Sequence, residues 1–568
     1  MKNRASSHLL IILVIVILQI AGYSAIHRAG LLRGYETSII GAVRDLLMFV
    51  PIVALVLWLS RFMRFSGNWV LFTTAIMLFS IGMLVQYRLY SDPEYNSRAR
   101  DVARAAKTDA VRTRYIMENY DAAKKQLMGL PPTPAQPVDI ESLPKKESTY
   151  SIWNALTSSY TWVPVLSFIA FALAYSFCVN DGFLLWLQRN SFIVVLATLV
   201  PLAAAVVTSS AGKALGNMTP WEPAKIPFLV GFAGILTARY KDLAETRWGI
   251  PRARDIVPLV VMAVIPFIPF FALKDFGQML IFTGAYVTLY LVAVRRWPQL
   301  LLFVGSVIFV ISLLVVGALP RDIQEKVPLL PLVARPIATA LPARIQQRFH
   351  LWLDGFDPPS PEVSWWKKDY QDALNKDAKD NAQSNSPKLK DLAAQSPAMQ
   401  KAVNVDIWFD KLAFQPAQAV FGLASGQTTG RGLGLGFPEL VPIADSDYVY
   451  AAIAEEMGLA GGLLVILAIL VFISAGVRTS LEARDMFTKL CAAGLTAFFG
   501  FQSIVNMGGI TRALPMTGIT LPFVSHGGFS LITSFAMLGM LMAFSHRTAR
   551  DRMLAGSPRS ARVAEAVK

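Results

Sequence analysis

The chain has 568 residues, 54% of them hydrophobic and only 16% charged, with a formal net charge of +15. Soluble globular proteins carry about a quarter charged residues, so this composition excludes a soluble enzyme and indicates an all-α polytopic membrane protein. The positive charge then calls for a topological explanation before a nucleic-acid one.

Twelve runs of membrane-crossing length follow in order, near 8–26, 46–63, 68–88, 162–180, 190–209, 225–239, 256–273, 277–294, 298–317, 448–474, 487–506 and 528–545. The first resembles a signal peptide, but no small-x-small cleavage site follows it, so it reads as a span. With the N-terminus inside, the short inner loops collect Arg61, Arg64, Arg239, Lys241, Arg247, Arg252, Arg254, Arg295, Arg296, Arg478, Arg484 and Lys489, and the tail is basic. That asymmetry places both termini in the cytoplasm. Cys178 and Cys491 lie in or beside apolar runs and give no zinc-site spacing.

Two hydrophilic stretches fall on the outer face. The chain thus divides into two N-terminal helices over 1–67, a first part of the core over 68–317 carrying an outer insertion at 89–161, and a large outer loop over 318–447. A C-terminal core with a re-entrant segment follows over 448–546, then a cytoplasmic tail over 547–568. Residues 96–126 read as an exposed helix, which either is simply solvated or docks a partner. The Lys/Asp/Asn/Ser-rich stretch 367–401 has little to bury and reads as a flexible or peripheral helical insertion.

Carboxylates at the edge of apolar segments are seldom idle. Asp445 and Asp447 precede the run at 448–474, and Glu455 and Glu456 lie about 12 Å further in if the segment is helical. Upstream, Gly426, Gly430, Gly432, Gly434 and Gly436 form a glycine-rich stretch after Gln418, around Arg431. It is either a structural turn or, with Arg344 and Arg348, a site for an anion such as pyrophosphate, because guanidinium forks grip phosphate oxygens in pairs. A nucleotide loop is a poor fit, since the Lys-Ser/Thr of a P-loop is missing.

Three more polar places line the outer rim. Glu222 and Lys225, in Pro220-Trp-Glu-Pro-Ala-Lys225, are spaced to pair on one helix face. Lys274 and Asp275 join two spans. The Gly/Pro-broken segment from Asn506 to Gly528 reads as a re-entrant wall, since irregular backbone at membrane depth must be buried or line a wet cavity.

These motifs resemble the SEDS family (shape, elongation, division and sporulation) of peptidoglycan glycosyltransferases typified by RodA and FtsW. Pro220 to Lys225 is similar to its Pro-Ser-Glu-x-x-Lys, Lys274-Asp-Phe-Gly277 to its Pro-Asp-Leu-Gly, and Asp447 to Gly458 to its Thr-Asp-Phe-x-x-x-x-x-Glu-Glu-x-Gly. Asn506 to Gly528 resembles its long Asn-x-Gly motif ending in Ser-Tyr-Gly-Gly.

The resemblance implies a ten-helix core, here preceded by two extra helices. It also implies polymerisation of lipid II, the undecaprenyl-pyrophosphate-linked disaccharide peptide, on the outer leaflet of the bacterial cytoplasmic membrane, with a class B penicillin-binding transpeptidase and other elongation or division proteins as partners. It carries the family's essential outer aspartate onto Asp447 as general base. Arg344, Arg348, Gln418, Arg431, Gly432, Gly434, Ser525 and Gly527 are then the expected contacts to substrate and pyrophosphate. Glu222, Lys225, Asp275, Glu455 and Glu456 are the expected cavity charges. No cofactor is required, and a divalent cation, magnesium or manganese, is compatible with a pyrophosphate leaving group. Departures from the family pattern stand at Trp221, Lys274, Arg512, His526 and Phe529. A lipid-linked oligosaccharide flippase and a non-catalytic scaffold are the alternative readings.

Overall fold

The structure is a computed structural model, and it describes residues 2–33, 35–92, 95, 157–208, 219, 221–244, 252, 261, 269–270, 276–294, 301, 305, 343–353, 356–380 and 388–555. Among these residues every regular element is helical. Among the described residues eight helices are long and apolar enough to cross a membrane, and a ninth span arises if the pair Asp181–Arg189 and Ser191–Ala204, bent by 80°, is one broken span. The chain is a multi-pass membrane protein.

Nine of the twelve expected runs coincide with these spans. The run near 225–239 lies in the helix Trp221–Ala244, which is not among the spans because Glu222, Lys225, Arg239, Lys241 and Asp242 interrupt it. The runs at 256–273 and 298–317 fall almost wholly outside the described residues, as do Lys274, Asp275, the expected helix at 96–126 and most of the insertion at 89–161.

Packing follows from where the small residues lie. The C-terminal helix Phe529–Ala555 runs against Ser159–Val179, and a Cβ on Gly539 would stand 2.4 Å from the Phe171 carbonyl oxygen. Glycine at the contact lets the two backbones approach, the usual device where lipid offers no hydrophobic drive to helix association. The N-terminal helix Lys2–Leu32 packs on Val70–Ser91, where Gln19 accepts from the Ser80 hydroxyl at 2.6 Å and donates to Tyr23 at 2.7 Å. Asp485 begins Met486–Ile510 by accepting the Thr488 amide at 2.8 Å.

The loop expected on the outer face, called the outer loop below, has a hydrophobic core of its own. Helices Ser364–Asp380, Leu389–Gln395 and Pro397–Trp408 enclose Trp366, Tyr370, Val403, Val405, Ile407, Trp408 and Phe409. Of the two readings of the stretch 367–401, the helical one holds where it is described, and of its described residues Tyr370 alone is buried; the aromatic anchors Trp366 and Trp408 lie just outside it. The Trp366 indole donates to Asn404 at 2.8 Å, and Asn404 in turn donates to the Pro359 carbonyl at 2.7 Å, whereas the Tyr370 hydroxyl and the Trp408 indole nitrogen are buried without a hydrogen-bond partner.

Candidate active site

Asp447 sits in the turn that precedes the long helix Val449–Glu482. Its backbone is held from the re-entrant side. The Asn506 amide group donates to the Asp447 carbonyl at 2.9 Å and to the Ile519 carbonyl at 2.5 Å. Ser525 donates to the Ser446 carbonyl at 2.6 Å while accepting the Leu521 amide at 2.8 Å. Two links of opposite sequence origin thus fix the segment before the helix to the irregular segment 511–528.

The side chain of Asp447 is half-buried and reaches over Gly518. Where a Cβ on Gly518 would stand, Asp447 Oδ2 lies 3.4 Å away and Arg348 Nη2 lies 3.8 Å away. Arg348 comes from the outer helix Ala343–Leu353 and donates through Nη1 to the Thr517 carbonyl at 2.9 Å. Both charges are felt by Tyr448, whose hydroxyl is pushed up by burial and then by Asp447, with Arg348 opposing. Arg344 is exposed one helical turn before Arg348, on the same face.

Next to this pair lies an aromatic and charged cluster. The His526 amide donates to the Asp445 carbonyl at 2.8 Å, and the His526 ring stacks on Tyr160 with centroids 4.0 Å apart. Burial, then the nearby Arg44 charge, lowers His526 to about 4. Tyr90 donates to Asp445 Oδ2 at 2.8 Å, and burial pushes the Asp445 carboxyl above its ordinary range, against the Tyr95 hydroxyl bond. Asp445 is therefore tied into a packed cluster, whereas Asp447 faces Arg348.

The glycine-rich stretch has a different geometry from that of an open anion cradle. Its backbone is stapled onto the start of the long helix: Arg431 N–H donates to the Glu455 carbonyl and Gly432 N–H to the Glu456 carbonyl, both at 2.9 Å. Gly434 N–H donates to Glu456 Oε2 at 3.0 Å and Phe437 N–H to Glu455 Oε1 at 2.8 Å. Gly458 breaks the helix with φ of 67°, and a Cβ there would stand 2.2 Å from the Gly430 nitrogen. Only glycine permits that backbone crossing. Gln418 is buried on Phe414–Gly426 with its Oε1 unpartnered, and the Arg431 Nε donates to the Ser425 carbonyl at 3.3 Å.

Beneath this loop is an ion network that sequence reading missed. Arg88, 1% exposed, donates through Nε to Glu456 Oε1 at 2.8 Å and through Nη2 to Glu439 Oε2 at 3.0 Å, with Asp92 at 3.5 Å. Arg33 reaches Glu439 Oε1 at 2.5 Å and the Gly436 carbonyl at 2.9 Å. Burial acts to raise Glu439, but Arg33 and Arg88 outweigh it and hold the carboxyl below its ordinary value. Glu455 and Glu456 are thereby built into the frame of the loop. A lone arginine ending an apolar run was the available signal for Arg88.

Glu222 and Lys225 do pair, at 2.8 Å, both buried. Lys225 also donates to Gln502 at 3.0 Å, and Gln502 donates to the Thr520 carbonyl at 2.9 Å. The pair thus reaches the re-entrant segment that flanks Asp447. Gly527 sits where a Cβ would meet Thr520 and Ser530 at 2.9 Å, and Ser525 is fully engaged as described. Among the described residues no group of three or more His, Cys, Asp or Glu is arranged to hold a metal ion.

The family model described as Cell cycle protein, covering FtsW, RodA and SpoVE, matches residues 404–550. The peptidoglycan glycosyltransferase RodA of Mycobacterium tuberculosis is 28% identical over 419 residues, 70% of this chain and 73% of that protein. A probable peptidoglycan glycosyltransferase FtsW of Geobacter metallireducens is 37% identical over 136 residues, 24% of this chain and 36% of that protein. A chain solved in a peptidoglycan synthase complex, in work on its coordination of polymerization and crosslinking, covers 85% of this chain and 98% of its own length at 17% identity and a TM-score of 0.47. The matched region 404–550 contains the stapled glycine loop, Asp447 and the irregular segment 511–528, and over it the chain is similar to the family of FtsW, RodA and SpoVE.

Proposed function

We propose that this protein is a peptidoglycan glycosyltransferase that polymerises lipid II at the outer face of the bacterial cytoplasmic membrane, with both termini inside. The reading is supported by the family-model match over 404–550, by relatives named peptidoglycan glycosyltransferases, and above all by one geometric observation. Asp447 and Arg348 converge over Gly518 on backbone pinned by Asn506 and Ser525.

The growing glycan is the donor, and the GlcNAc 4-hydroxyl of a second lipid II is the acceptor. A sugar hydroxyl is a poor nucleophile, so a carboxylate within hydrogen-bond reach, removing its proton as the new bond forms, contributes about 10² to 10⁴-fold in rate. Asp447 takes that proton. The acceptor oxygen attacks the anomeric carbon from the face opposite the departing undecaprenyl pyrophosphate, with inversion. Arg348, and Arg344 one turn away, meet the charge that develops on the pyrophosphate oxygens.

The glycine loop serves this site by framing it. Its amides are spent on Glu455 and Glu456, so Gly432 and Gly434 act on substrate through the shape of the loop. A magnesium or manganese ion, if recruited, would be held largely by the phosphate oxygens with Asp447 as the nearby carboxylate. A class B penicillin-binding transpeptidase is the expected partner, in keeping with polymerisation needing a crosslinking step to make wall.

The test is a polymerisation assay on the purified full-length protein with lipid II, resolved as glycan chains, alongside lipid II in liposomes scored for transbilayer movement. Glycan chains are expected. Movement without chains would replace this reading by a flippase, and neither signal, alone or with the co-purified transpeptidase, would replace it by a scaffold.

A further inference from the structure

Arg512 occupies a backbone position with φ of 59° in the irregular segment after Met486–Ile510. Left-handed backbone is adopted freely by glycine and at a cost by side chains with a Cβ. The arginine there is half-buried, and although its Nε has no hydrogen-bond partner, its Nη2 is engaged at the end of a neighbouring helix. Nη2 donates to the Trp352 carbonyl at 3.2 Å and lies 3.4 Å from the Leu351 carbonyl, the last carbonyls of the outer helix Ala343–Leu353. The Trp352 indole donates back to the Arg512 carbonyl at 3.0 Å, and the guanidinium lies over the Phe356 ring at 5.1 Å.

A cation on the free carbonyls of a helix C-terminus satisfies acceptors that have no partner in the helix and complements the helix dipole. Here the contact is reciprocal, side chain to backbone in both directions, so it fixes the helix along its axis and in rotation. One turn before Trp352, the same helix carries Arg348, which bonds the Thr517 carbonyl beside Asp447. The outer helix is thus held to the re-entrant segment at two points, Arg512–Trp352 and Arg348–Thr517.

We propose that Arg512 is a positioning residue: by clamping the C-terminal end of the outer helix, it sets where the Arg348 guanidinium stands relative to Asp447. It acts through Arg348 and touches no substrate. This inference rests on the reading of Arg348 and Asp447 given above. It also explains how an outer loop with its own hydrophobic core is coupled to the membrane-embedded site, because Phe356, under the Arg512 guanidinium, packs on Phe409 of that core at 5.8 Å between centroids.

Arg512→Gly is the informative variant, since it removes the guanidinium while relieving the left-handed backbone. In the full-length protein, kcat/KM for lipid II polymerisation is expected to fall about tenfold, within the range that a misplacement of about 1 Å produces. In an Arg348→Ala background the same change is expected to cost less than about twofold, because the group that Arg512 positions is already gone. Arg512→Lys, which keeps a cation at the carbonyls, should recover part of the loss. Equal losses in both backgrounds would overturn the proposal, as would no loss at all.

A second measurement stands apart from catalysis. Spin labels at Ala343 and Thr511, both exposed, report the distance between the outer helix and the re-entrant segment. The distribution should broaden or shift in Arg512→Gly. An unchanged distribution overturns the clamp whatever the assay shows, while a broadened one in a protein that makes no glycan upholds the clamp and refutes only the functional reading.

Discussion

Arg88 and Glu456, 368 positions apart in the chain, meet at 2.8 Å inside the helical core, where Arg88 also engages Glu439. Above this contact lies the glycine loop, whose Gly434 amide donates to the second oxygen of Glu456. The glycine loop is therefore anchored by charge from below.

Truncating one member of such a buried group leaves the others uncompensated, at about 3 to 5 kcal/mol. Arg88→Leu should lower the thermal stability of the detergent-purified protein by that order. Adding Glu456→Gln to it should cost less than the sum of the two single changes, because the orphaned charge is removed with its partner. Strict additivity in the thermal unfolding data would mean that the two residues are not coupled.

Gly458 and Gly430 cross with no room for a methyl group, since a Cβ on either would meet the other's backbone at 2.2 to 2.6 Å. Gly458→Ala also forces a side chain into left-handed backbone, at about 1 to 2 kcal/mol before any clash. The expected result is faster amide hydrogen exchange across 428–437, with the helix Met486–Ile510 unaffected. Uniform protection in both regions would contradict the staple.

His526 has an ordinary value of 6.5 and is lowered to about 4 by burial and by Arg44. The unfolded chain therefore binds a proton that the folded one refuses between these limits. Stability from the neutral ring is complete above pH 6.5 and is lost as pH falls toward 4, by about 3 kcal/mol in all. His526→Tyr, which keeps an aromatic ring beside Tyr160, should flatten the fall in melting temperature between pH 6.5 and 4. A slope equal to that of the parent protein would show that the ring does not titrate as described.

Trp408 is fully buried among Trp366, Trp365 and His350 in the outer-loop core. Trp408→Ala should cost that unit about 3 to 5 kcal/mol. Limited proteolysis should then cut within 364–408 first while the membrane helices stay intact. Cleavage no faster than in the parent protein would mean that the outer loop does not depend on this core.

Much of the fold was legible because its cues are local. Apolar runs of about 20 residues announced the spans, and the i, i+3 spacing announced the Glu222–Lys225 pair that the structure closes at 2.8 Å. The motif around Asp447 could be placed by its spacing to Glu455, Glu456 and Gly458. What was not legible depends on partners far apart in sequence. Arg33, Arg88 and Glu439 are isolated charges until the helices bring them together. The glycine stretch left an anion site and a structural turn open, and only the backbone shows its amides turned toward Glu455 and Glu456. The core around Trp408 was hidden for another reason: the charged stretch 367–401 dominates the composition, while most of the buried residues, among them Trp366, Val405, Trp408 and Phe409, lie just outside it. Arg512 stood out as a departure from the family pattern, but its role needs the end of a helix 160 residues earlier in the chain.

The account stands most directly on Asp447 as the base. The decisive measurement is lipid II polymerisation by purified Asp447→Asn beside the parent protein and Asp445→Asn, with all three matched for melting temperature. The account predicts that Asp447→Asn loses activity by at least about 10²-fold while Asp445→Asn, whose carboxyl is tied to Tyr90, keeps activity within about tenfold of the parent. Full activity in Asp447→Asn would contradict it.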